Sequence, residues 1–135
     1  MADLKESGIA LLSSTASCNL NASGGTEKAL FTVPTGKVLI VDHVVMRVFS
    51  ADTLAAVVTF GKTGGDCDEY LGDQTLTGIT ASYATQSLKL TVVPNATTVV
   101  QALFTAAQVF AMEITTAAGG ACTCTVDVFG FLYDA

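Results

Sequence analysis

The sequence predicts an all-β protein folded as a single antiparallel β-sandwich. Runs rich in Val, Ile, Thr and Phe recur along the chain, and branched Cβ atoms fit a pleated strand better than a helix. Turn signals separate these runs at Gly24-Gly25, Pro34-Thr35-Gly36, Pro94-Asn95 and Gly119-Gly120. No stretch carries apolar residues at convincing helical spacing. About eight short strands with turns between them describe a sandwich or barrel. Unequal strand lengths and two long loops favour a jelly-roll-like sandwich. An immunoglobulin-like arrangement is the alternative, but its paired cysteines around a buried Trp are missing from a chain without Trp.

The elements follow in order. Gly8–Ser13 is a short apolar run and the first strand. Ser14–Gly25 is polar, and reads either as a strand with one apolar contact at Leu20 or as an extended arm. The domain division is therefore an N-terminal strand or arm over 1–25 and the sandwich over 26–135. Glu27–Val33 is a strand ended by Pro34. Lys37–Phe49, the longest β-branched stretch, is the long central strand. Strict alternation puts Val38, Ile40, Val44, Met46 and Val48 on its core face, interrupted by Asp42, with Leu39, Val41, His43, Val45, Arg47 and Phe49 on the other. Ala55–Gly61 is expected to form a hairpin with it. Lys62–Asp73 reads as a long acidic loop with one helical turn around Glu69, and Leu76–Thr80 is too short to assign. Ser87–Val93, Thr98–Phe104 and Phe110–Thr116 are strands, the last with Phe110, Met112 and Ile114 inward. Ala121–Tyr133 closes the chain with Cys122, Cys124, Val126, Val128 and Leu132 on one side.

Composition narrows the function. The chain has 135 residues, enough for one domain with its own core. Six basic residues against twelve acidic ones give a net charge of −6, with no basic run. Nucleic acid and anionic membranes are therefore not expected partners. No apolar run is long enough to cross a membrane as a helix, and Met1–Glu6 lacks the basic-then-apolar pattern of a secretory signal. Only 13% of residues are charged and 50% are hydrophobic, so partner subunits are expected to cover part of the surface.

No residue set points to catalysis, a cofactor or a metal, and none is assigned. Asp66, Asp68, Glu69 and Asp73 could offer oxygens to calcium, but their spacing matches no EF-hand and reads as a solvated acidic loop. The other strand acids, Glu27, Asp42, Glu113 and Asp127, show no sign of converging as a glycosidase pair would. His43 is the lone His, and strict alternation would point it away from Asp42. Gly61-Lys62-Thr63-Gly64-Gly65 lacks the phosphate-loop pattern, and there is no Gly-x-Ser-x-Gly elbow. Cys18, Cys67, Cys122 and Cys124 are expected to be reduced, buried thiols. Asn21-Ala22-Ser23 and Asn95-Ala96-Thr97 match the glycosylation triplet, which has no bearing without a secretory signal.

Three segments together carry a resemblance: Phe31–Lys37 leading into Val38–Phe49, Val57–Gly61 with its acidic loop, and Cys124–Tyr133. From Glu27 to Tyr133 the chain resembles the small β-sandwich decoration, or cement, proteins of tailed bacteriophages. That resemblance implies a structural virion protein on the capsid exterior, assembled in the host cytoplasm. It also implies a homotrimer whose other partner is the major capsid protein, and it carries over no catalytic residue. The polar N-terminal segment Ala2–Gly25 is the expected contact with the coat. The competing reading is a head-fibre or tail-associated module that holds host carbohydrate, with Tyr70 and Tyr83 as its stacking rings.

Overall fold

A computed structural model describes residues 8–80, 86–91 and 101–135. Its nine strands are β1 (Ala10–Asn19), β2 (Thr26–Thr32), β3 (Lys37–Arg47), β4 (Val57–Lys62), β5 (Leu71–Thr75), β6 (Ser87–Leu90), β7 (Leu103–Thr105), β8 (Val109–Thr116) and β9 (Thr123–Asp134). One sheet runs β1-β9-β3-β6, with β7 also pairing β3; the other runs β2-β8-β4-β5. All the pairings are antiparallel. With β7 set aside, two interleaved four-stranded sheets in these orders are a jelly roll.

The expected hairpin between the central strand and the next does not form. β4 pairs with β5 and β8, so the chain leaves β3 and crosses to the opposite sheet through residues 48–56. Thr53 pins that crossing: it is fully buried and its hydroxyl donates to the Leu76 carbonyl. The segment after β4 contains no helical turn at Glu69 but a series of turns and bends, and then β5. The hydrogen-bonded turn before β3 has Pro34 at its first position and Gly36 at its third, where φ is +75° and glycine fits without strain. Of the two readings for the N-terminal segment, the strand is found: β1 is laid along β9 as the sheet's edge, with Cys18 and Leu20 fully buried. Pro94-Asn95, Tyr83, Met1–Ser7 and the first three residues of the expected strand Thr98–Phe104 lie outside the described residues, and the rest of that strand appears only as β7.

β3 corrects the strict alternation. Its buried residues are Leu39, Val41, Val44 and Met46, while Val38 and Ile40 are half-buried and Val48 is exposed. Opposite β9, Val41 pairs Gly130 but His43 pairs Phe129, so Asp42 is one residue too many. Such a bulge advances the side-chain parity by one. Residues 39 and 41 before it, and 44 and 46 after it, thus all face the core. Two neighbours fix the bulge. Gly130 lies so close that a Cβ there would stand 2.2 Å from the Ile40 oxygen. From the other sheet, Tyr70 donates its hydroxyl to the Asp42 carbonyl at 2.9 Å.

The core between the sheets combines Leu39, Val44, Met46, Cys124, Val126 and Val128 with Val58, Phe60, Phe110, Met112 and Ile114. Phe110 is its aromatic centre. Phe104 and Tyr70 meet it edge-on at 5.3 and 5.5 Å, and Phe60 lies near-parallel at 6.3 Å. Phe110, Met112 and Ile114 face inward as their alternation predicts.

Candidate interaction surfaces

The outward face of the β1-β9-β3-β6 sheet follows from the registers. Ile40 pairs Phe131 on one side and Leu103 on the other, Val38 pairs Tyr133, and His43 pairs Phe129, which in turn pairs Leu11. Residues directly opposite on neighbouring strands share a face. These side chains therefore form one apolar strip across β7, β3, β9 and β1. Leu11 is 54% and Leu103 48% exposed, where a monomer's sheet would ordinarily carry polar side chains. Rings order the strip: Phe131 and Tyr133 stack at 6.1 Å, and His43 lies flat on Phe129 at 4.5 Å.

Polar pairs close the strip at both ends. At one end Lys37 binds Asp134. At the other, Arg47 donates to both Asp127 oxygens, at 2.6 and 3.3 Å, and reaches the Ser14 hydroxyl at 3.4 Å. Asp127 is only 5% exposed. Burial would push its carboxyl up, but hydrogen bonds from Arg47 and Ser14 and the guanidinium charge outweigh that, and it titrates below its ordinary range. An apolar centre with a polar rim is the anatomy of a protein–protein contact. The bulge also overturns the separation of Asp42 from His43: their carboxylate and ring nitrogen are 2.6 Å apart. The signal for this was an acid in the middle of an apolar strand, opposite a strand glycine.

The second surface is the outward face of the other sheet. Glu27, Glu113 and Thr59 lie side by side on β2, β8 and β4, since Glu27 pairs Glu113 and Glu113 pairs Thr59. The acidic loop folds back over them. Glu69 accepts from the Lys62 amide at 2.8 Å, and Glu27 accepts from the Gly64 amide at 3.1 Å. Cys67 is thereby buried against β8, its thiol donating to the Ala111 carbonyl at 3.6 Å. Ligand atoms of Cys67, Glu27 and Glu113 all lie within 4.8 Å of one another. Burial, and then the neighbouring carboxylates of Glu27, Glu113 and Glu69, push the Cys67 thiol up to about 12. Burial, followed by Glu27, Asp66 and Asp68, raises the Glu113 carboxyl. Asp66 and Asp68 are exposed, as expected of a solvated loop, whereas Glu69 turns inward as a clamp.

The remaining singled-out residues are structural in their surroundings. Cys18, Cys122 and Cys124 are buried thiols without a disulfide, each raised first of all by burial. Tyr70, a stacking ring in the carbohydrate reading, is 1% exposed. An open groove of about 450 Å³ lies beside β6, lined by Leu76, Ile79, Gln86 and Leu88 among others.

No family model and no curated protein matches the sequence. Among solved structures, the fold matches a chain of the acidic stable capsid structure of Helicobacter pylori bacteriophage KHP30. The TM-score is 0.50 at 14% identity, over 95% of this chain and 97% of that one. The two chains share a fold.

Proposed function

We propose that this chain is a structural, non-enzymatic virion protein: a decoration (cement) protein that binds the outside of a tailed-phage head and reinforces the shell. The observation that carries this reading is the fold match, over 95% of this chain, with a chain of a phage capsid structure. The jelly roll is itself frequent in capsid subunits, which supports the reading by analogy only. The apolar strip adds a physical reason for assembly. Ile9, Leu11 and Leu103 are about half exposed on a chain with only 13% charged residues. In this reading the strip, Leu11 included, is buried between the copies of a homotrimer, and the rest of the N-terminal segment contacts the major capsid protein. The carbohydrate-module reading is weaker, because the Tyr70 ring is inside the core.

Two measurements test the proposal. Light scattering should give about three times the 13.8 kDa chain mass, and Leu11→Asp with Leu103→Asp should give a folded monomer. Purified virions should contain the protein in numbers comparable to the coat, and heads lacking it should rupture at lower temperature. Heads that contain none of it would overturn the decoration role, and a wild-type monomer at micromolar concentration would overturn the trimer.

A further inference from the structure

We propose that Cys67, Glu27 and Glu113 form a site for one divalent cation of the zinc type, beneath the acidic loop. The three ligand atoms come from three different places: β2, β8 and the turn after β4. They already lie within 4.8 Å of one another. Tetrahedral zinc holds sulfur at about 2.3 Å and carboxylate oxygen at about 2.1 Å, which puts ligands roughly 3.5 Å apart. Small side-chain rotations bridge that difference. A thiolate with two carboxylates suits zinc or cobalt, whereas calcium and magnesium take oxygen alone.

Two further observations point to an ion. The first is uncompensated charge. Glu27 and Glu113 stand side by side with Asp66 and Asp68 close enough to raise Glu113. The ion pairs among the described residues, Lys37–Asp134, Arg47–Asp127 and Asp42–His43, all lie on the other sheet. The second is Thr59. It is 2% exposed, lies directly across the β4–β8 ladder from Glu113 on the same face, and its hydroxyl has no hydrogen-bond partner. A buried hydroxyl without a partner is unfavourable, and a hydrated cation beside Glu113 would satisfy it. Binding forms a metal–sulfur bond and two metal–oxygen bonds. The Cys67 proton, now shared with the Ala111 carbonyl, leaves to solvent, and no electron is transferred. The ion would tie the loop to two strands of the sheet, so its binding adds to folding stability.

Cobalt(II) titrated into the intact protein is the probe, because a cobalt–thiolate bond gives an intense near-ultraviolet band. The band should appear at one equivalent, disappear on adding zinc, and be absent in Cys67→Ser. Glu113→Gln should weaken cobalt binding about tenfold or more. Zinc should raise the melting temperature of the wild type, and a chelator should reverse the rise. If Cys67→Ser does not fold, Glu113→Gln decides alone, since Glu113 is only half-buried on its strand. A missing band at millimolar cobalt would overturn the site, as would a band that survives Cys67→Ser or a smaller loss in Glu113→Gln.

Discussion

Asp127 lies nearly buried on a face that is otherwise apolar at its centre, and Arg47 and Ser14 are what keep it ionised there. Its carboxyl titrates below its ordinary value of 3.8 in the folded chain. A depressed carboxyl contributes stability that is complete above the unfolded value and is lost as pH falls through the folded one. Arg47→Ala should therefore lower the melting temperature near neutral pH, and the gap to wild type should narrow below about pH 4. A gap that widens on acidification would contradict the pairing. Tyr70→Phe deletes only the hydroxyl bonded to the Asp42 carbonyl and should cost about 1–2 kcal/mol in denaturant unfolding. Burial first, and the Asp42 charge second, push this phenol up to about 12, so one tyrosine should ionise late in an absorbance titration. Val48 offers a gain rather than a loss. It is half exposed at a φ of +54°, where a β-branched side chain is strained, so Val48→Gly should stabilise by about 1 kcal/mol.

At the scale of strands, the decisive feature is the bulge at Asp42. Val44 and Met46 could be read as core from alternation alone, as could Phe110, Met112, Ile114, Cys124, Val126 and Val128. Ile40 could not, because one inserted residue reverses the parity of everything before it relative to everything after, and Val48 could not, because β3 ends at Arg47 and Val48 takes a φ of +54° that breaks the alternation. The residues that enforce the insertion, Gly130 and Tyr70, are 88 and 28 positions away from Asp42 in the chain, beyond any local pattern. The parity makes a clean test. Leu39→Asp should prevent folding, because it buries an unpaired charge. Ile40→Thr, one residue on, should cost about 1 kcal/mol or less in a chemical melt. Val44→Ala, on the core side after the bulge, should cost about 1–2 kcal/mol. The hairpin expected of β3 and β4 failed for a related reason: adjacency in sequence predicts pairing less well in a jelly roll, where the chain keeps changing sheets. The convergence of Glu27, Glu113 and Cys67 was equally illegible, since each looks like an isolated residue until the registers of β2, β8 and β4 align them.

For the whole molecule, the all-β class was legible because propensity, turn signals and the missing helical period agreed, while the apolar strip appears only once the strand registers are known. The topology was not, since it depends on which strand lies between which others. There the consequence reaches into biosynthesis. β9 lies between β1 and β3 and is the strand against which both are aligned, with Ala10 facing Gly130 and Val44 facing Val128. Both neighbours emerge from the ribosome long before it. At about 5–20 residues per second, β1 waits on the order of ten seconds with Leu11 and Cys18 unpaired. The first sheet cannot close during synthesis until the stretch ending at Asp134 has cleared the exit tunnel. A nascent chain stalled with β9 still inside should be digested by protease as readily as an unfolded one. Protection should appear all at once when β9 emerges, rather than growing strand by strand.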